Sequence, residues 1–212
     1  MNKFLVLSDS QRKSVFESIA HKAGLPSQVI EKDFWVTAIL QSLFSLPIAR
    51  HLVFKGGTSL SKGWKLIERF SEDIDLAVDP VFLGAQEGDL TKKQIKKLRK
   101  ASSLFVLDQL TPMICEKLEQ LGLHSFITVE AQPNGEGDNT YPEPRQVYLR
   151  YKSVFEEGLG YLRPDIVLEV SARSLIEPTE AIHIKSIIAE SLPIAPLEDS
   201  AIHTAILAKT FL

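Results

Sequence analysis

Apolar and polar positions change period several times along the chain. Ser8-Asp9-Ser10 is a capping stretch, and the residues after it predict a helix over 9–23, closed by Gly24 and Pro26. The text SQVIEKDFWVTAILQSLFSL, from Ser27, places Ile30, Phe34, Ala38 and Leu40 or Gln41 near one helical face, and Pro47 ends it. HLVF (51–54) is a short apolar run that meets glycines, which predicts a strand. A short helix over 58–69, capped by Thr58 or Ser59, is expected next. DIDLAV (73–78) then alternates as a strand does.

A long helical stretch covers 89–121. HSFITVEA (124–131), RQVYLRYKSVF (145–155) and DIVLEVSAR (165–173) are rich in strand formers, and AIHIKSII (181–188) reads as a further strand. QPNGEGDNTYPEP marks an exposed loop or hairpin tip between the first two. Helices, then strand–helix–strand, then a long helix and several strands make an α/β or α+β chain with a mixed sheet. The expected organisation is N-terminal helices over 1–50 packed on a core over 51–190. A helical part begins at 191–212, because LEDSAIHTAILAKTFL reads as a helix still apolar where it stops; the pattern predicts that this part continues past Leu212.

Composition narrows the function classes. The 212 residues are 44% hydrophobic, enough for a sizeable core, and the net charge of −3 argues against bulk attraction to nucleic acid or membrane. TKKQIKKLRK (91–100) is the exception; a solvated helix face is the plainer reading and a phosphate or RNA contact the functional one. The one cysteine, Cys115, excludes an intrachain disulfide and is expected to be buried and inert. The scattered histidines lack metal-binding spacing. With no signal-peptide pattern and no apolar run of about 20 residues, the expectation is a cytoplasmic protein with no membrane partner.

The chemistry concentrates in FKGGTSLSKGWKLIERFSEDIDLAV (54–78). Asp73 and Asp75 are two apart on a strand and share one face. Two adjacent carboxylates are costly unless a cation lies between them, and hard oxygen ligands suit Mg²⁺ or Mn²⁺. Gly56 and Gly57 allow backbone N–H groups to approach phosphate oxygens, while Thr58 and Ser59 offer hydroxyls to a terminal phosphate. Lys55 precedes the glycines, so the arrangement is not a P-loop. A phosphate cradle beside a carboxylate pair predicts nucleotidyl transfer from an NTP–metal complex. Glu169, within the apolar strand IVLEV, is the third carboxylate, as ligand or general base, and Asp165 at the strand start is its rival. For Glu31, Lys32 and Asp33, a surface of i,i+4 partners competes with Lys32 or Asp33 lining the cleft. Trp35 and Trp64 read as packing residues.

The stretch 54–78 resembles the nucleotidyltransferase motif of the AbiEii/AbiGii toxin family of the polymerase-β-like superfamily. VIEKDFWV (29–36), IVLEVSAR and the terminal AKTFL are similar to its other motifs. The resemblance implies a polymerase-β-like fold, with Gly56, Gly57, Thr58 and Ser59 on the triphosphate. Asp73 and Asp75 would lie on Mg²⁺, Glu169 would take the third carboxylate place, and Lys209 would face the NTP phosphates. It also implies a toxin of a toxin–antitoxin or abortive-infection system, paired with an antitoxin and in some members transferring nucleotides to tRNA ends. The acceptor stays open among RNA, protein and a small molecule. Two alternatives compete: a non-catalytic protein-binding module that retains the fold and, more distantly, a Mg²⁺-dependent phosphohydrolase.

Overall fold

The computed structural model describes residues 4–67, 73–155, 163–173, 178–192 and 201–206, with the Asp138 side chain excepted. Helix α1 (Asp9–Ala23) starts at a reciprocal cap, in which the Ser8 hydroxyl takes the Gln11 N–H and the Gln11 side chain takes the Ser8 N–H. It stops at Gly24, whose φ of +68° ends the helix with the left-handed turn that glycine adopts without strain. Helix α2 (Ser27–Phe44) is buried along almost its whole length, on every face. Such a helix belongs to the interior, and Phe34 and Trp35 pack there against Phe4, Phe16, Phe126 and Tyr151.

Seven strands form one mixed sheet: β1 (Leu52–Lys55), β2 (Ile74–Val78), β3 (Ile127–Ala131), β4 (Arg145–Tyr151), β5 (Asp165–Ser171), β6 (Thr179–Ile182) and β7 (Ile202–Ala205). Their spatial order is β3-β4-β5-β2-β1-β7-β6. The β2–β5 and β1–β7 pairs are parallel and the remainder antiparallel. The period of two sorts the side chains. Phe54, Ile74, Leu76, Val147, Leu149, Ile166, Leu168 and Val170 are buried in the main core. The alternate positions, Lys55, Asp75, Gln146 and Glu169, occupy the other face and are half-buried. Among the described helices, none is long and apolar enough to cross a membrane.

The mixed sheet with helices matches the expected class, but several local expectations need correction. The residues read as the start of a C-terminal helix instead supply β7, which lies parallel to β1 with Phe54 opposite Thr204. Ile202 and Thr204 are fully buried there, and a short run buried inside a sheet cannot be told from a buried helix segment by periodicity alone. Within 181–188 the strand ends at Ile182, and helix α6 (Ile187–Ser191) follows, capped by the Ser186 hydroxyl. The long helix is two pieces, α4 (Lys92–Phe105) and α5 (Thr111–Gln120), joined by a widened π turn over Val106–Leu110. Pro112 explains the widening, since it has no N–H for the carbonyl four residues back, and the Thr111 hydroxyl donates to Val106 O at 2.8 Å. Cys115 is exposed, not buried. The core face of α5 is held by Ile114 and Leu118, and one residue beyond Ile114 the helix has turned about 100° away.

Candidate active site

Strand β1 runs directly into the glycines. Helix α3 is a single turn, Gly56–Thr58, continued by a π turn over Ser59–Gly63. Lys55 is its N-cap residue, with no side-chain cap; this corrects the expectation that Thr58 or Ser59 caps a helix from 58. Both hydroxyls lie inside the fold, where Thr58 donates to the carbonyl of Asp73 and Ser59 to the carbonyl of Gly56 at 2.7 Å. They tie the turn to β2 and to itself. That is a correction to hydroxyls turned outward toward phosphate. The first backbone N–H groups of a helical turn have no carbonyl one turn earlier to bond.

Gly56 is required by contact as well as by conformation. Its φ is +73°, and a Cβ there would land on carboxylate oxygen Oδ2 of Asp75. The carboxylate therefore rests against the bare backbone of the turn. The register carries the acidic row further: Lys55 lies opposite Asp75, Asp75 beside Glu169, and Glu169 opposite Gln146. Four strands thus place four polar side chains in one line on the face opposite the core. Asp73 stands exposed just before β2.

Electrostatics ties these groups together. Burial pushes the Asp75 carboxyl above its ordinary value; Lys55 pulls it down, while the negative charges of Glu169 and Asp73 push it up again. Three carboxylates share one field, with Lys55 as partial counterweight. Among the described residues, no group of three or more His, Cys, Asp or Glu side chains is arranged so that it could hold a metal ion as it stands. The donors are all hard oxygens, partly out of water and mutually repelling, which fits a hard divalent cation and not a soft or imidazole-bound one.

The other expected residues separate. Asp165 is on the Glu169 face but four residues earlier, roughly 13 Å along an extended strand, and opposite Arg150. Glu169 is therefore the direct neighbour of Asp75. Lys32 and Asp33 lie in the interior on α2, so neither forms part of the acidic row. The Lys32 ammonium donates to the Arg163 carbonyl at 3.0 Å. Asp33 forms an ion pair with Lys62 and accepts the Ile187 N–H at 2.7 Å. Glu31 accepts from the Val154 N–H at 2.9 Å and from the Ser153 hydroxyl, with its pKa raised chiefly by burial. The three adjacent charges are thus interior ties, which corrects the reading of a surface of i,i+4 partners. Trp64 anchors the end of the turn through its indole N–H to Ala205 O at 3.1 Å. Lys209 lies outside the described residues.

Sequence reading missed Lys62, Gln146 and Tyr148. Lys62 lies in the π turn that follows the glycines, but its partner is 29 residues back. Gln146 and Tyr148 occupy the polar positions of an alternating strand, where only the register with β5 reveals their neighbour.

A family model described as nucleotidyl transferase AbiEii toxin, type IV toxin–antitoxin system, matches residues 38–207. No curated protein matches. Among solved structures, the chain is similar to MenT4, a nucleotidyltransferase toxin from Mycobacterium tuberculosis H37Rv, at 18% identity and a TM-score of 0.50. The likeness covers 96% of this chain and 56% of that one, so the chain spans little more than half of that structure's length. At this identity the likeness shows the fold.

Proposed function

The chain belongs to the AbiEii nucleotidyl transferase toxin family, and from that premise we propose that it moves a nucleoside monophosphate from an NTP to an acceptor hydroxyl. The observation that carries this reading is the strand register that sets Asp75 beside Glu169 while the glycine turn lies against Asp75. Asp73, Asp75 and Glu169 would hold Mg²⁺ or Mn²⁺, with Glu169 preferred to Asp165 because it adjoins Asp75 in register. When bound, the ion would offset negative charge on the phosphate oxygens.

The protein's own contribution is positioning and charge. The Gly56-Gly57-Thr58-Ser59 turn would receive the triphosphate through backbone N–H groups, while the Thr58 and Ser59 hydroxyls keep its shape. Lys55 adds a positive charge at the edge of the row. Asp33, through Lys62, secures the far side of the turn. The acceptor hydroxyl gives its proton to a carboxylate of the row, and its oxygen forms a bond to the α-phosphorus. The bond from that phosphorus to the α,β-bridging oxygen breaks, and pyrophosphate leaves with the electron pair. Lys209 would complete the phosphate contacts, as the resemblance implies.

We favour RNA, such as a tRNA end, as acceptor over protein. Lys92, Lys93, Lys96, Lys97 and Lys100 are exposed along α4 and form a local basic surface that the net charge conceals. As a toxin, the protein would work in the cytoplasm and be restrained by a cognate antitoxin. Incubation with each labelled NTP, Mg²⁺ and total RNA tests this: an RNA band should gain label, and Asp73→Ala/Asp75→Ala should remove it. Label on protein instead would move the acceptor to that class. A folded wild-type chain that labels nothing and releases no pyrophosphate would favour a binding module.

A further inference from the structure

Glu169 is gripped from the side away from Asp75. Gln146, its partner in the β4–β5 register, donates from Nε2 to Glu169 Oε1 at 2.7 Å. The amide oxygen of Gln146 accepts from the Tyr148 hydroxyl at 2.6 Å. The direction of this chain follows from the groups themselves. An ionised carboxylate only accepts, so it selects the NH₂ end of the amide. The carbonyl end remains for Tyr148, whose phenol must then donate. The Tyr148 ring lies 5.8 Å from the Arg150 guanidinium, which is ion-paired to Glu130 at 2.6 Å. The outer end of the relay therefore lies toward β3 and β4, on the side away from the glycine turn.

We propose that Gln146 and Tyr148 are positioning residues that fix the orientation of Glu169, one oxygen engaged by Gln146 and the other presented to a divalent cation shared with Asp73 and Asp75. This rests on the reading of those three carboxylates as the metal-holding set. A glutamate side chain has several rotatable bonds, and an unrestrained one would lose that freedom on binding the ion. The relay removes the freedom beforehand. Outer partners of metal ligands typically change metal affinity by about 10–100-fold.

The test is Mn²⁺ titrated into the purified chain, with free Mn²⁺ followed by electron paramagnetic resonance and metal-free Tm measured in parallel. Gln146→Leu should weaken Mn²⁺ binding by about tenfold or more. Tyr148→Phe, which removes one hydroxyl, should weaken it by a smaller factor. Both should melt near the wild-type temperature without metal, which separates positioning from a structural role. Wild-type affinity in both variants, with Glu169→Gln weakened, would overturn the relay and leave the carboxylate reading standing. Wild-type affinity in Glu169→Gln, or no Mn²⁺ binding by the wild-type chain, would overturn the reading beneath it and the relay with it. If Gln146→Leu does not fold, Tyr148→Phe decides: unchanged affinity overturns the proposal.

Discussion

A single missing Cβ sets the geometry of the site. Gly56 has a positive φ, and the space its side chain would fill is taken by the Asp75 carboxylate. Gly56→Ala must therefore strain the turn or displace the acid. Strain of this kind costs about 1–3 kcal/mol, so calorimetry should show Tm lower by several degrees and transfer assays should show lost activity; an alanine variant with wild-type Tm and activity would remove the contact from the account. Glu31 makes a second prediction at this scale. Burial raises its pKa above the ordinary 4.5, so the folded chain holds that proton more tightly than the unfolded one. Its contribution to stability then falls as pH rises from about 4.5 through the raised value and is constant above it. Glu31→Gln lacks this loss, so denaturant titrations should show its stability relative to wild type improving from pH 4 to pH 7. Both residues were visible as letters in the sequence, and the glycine was singled out there. That Glu31 lies inside was not, because three consecutive charges on a helix ordinarily signal a solvated surface.

Between elements, one buried polar tie joins three separate parts of the fold. Asp33 on α2 binds Lys62 in the π turn and the first N–H of α6, joining the core helix, the glycine turn and the segment after β6. Both ion-pair partners are more than nine-tenths buried. Asp33→Ala would leave an ammonium and an N–H without their acceptor. Breaking such a buried pair costs about 3–5 kcal/mol, and equilibrium unfolding in urea should show the midpoint shifted down with little change in slope. The bounds of α1 were legible because its start and stop are chemical signals: a reciprocal cap and a glycine. The strand at 202–205 was not, because alternation is absent where both strand faces are covered: Ala205 packs with Val53 and Ala77 on one face, and Ile202 lies in the main core on the other. Likewise spacing alone pointed to Asp73 and Asp75 as a pair, whereas Gln146 became a neighbour of Glu169 only through a strand pairing that no local pattern specifies.

Across the molecule, the sheet divides labour between its faces. One face buries the aliphatic and aromatic core with α2 across it; the other lines up Lys55, Asp75, Glu169 and Gln146 over four adjacent strands. Rigid strands hold together acids that would separate in solution; the Asp75 pKa is raised chiefly by burial, and Glu169 and Asp73 add their repulsion. Binding of a nucleotide–metal complex would relieve it. The most direct measurement is the Tm of the chain with and without NTP and Mg²⁺, for wild type and for Asp73→Ala/Asp75→Ala. At a hundredfold excess over Kd, ligand linkage adds about 2.7 kcal/mol, which at this chain length is a rise of roughly 5–10 °C. If the acidic row holds the nucleotide–metal complex, that rise is expected in the wild-type protein and none in the double variant. A flat wild-type response, or an equal rise in both, would contradict it.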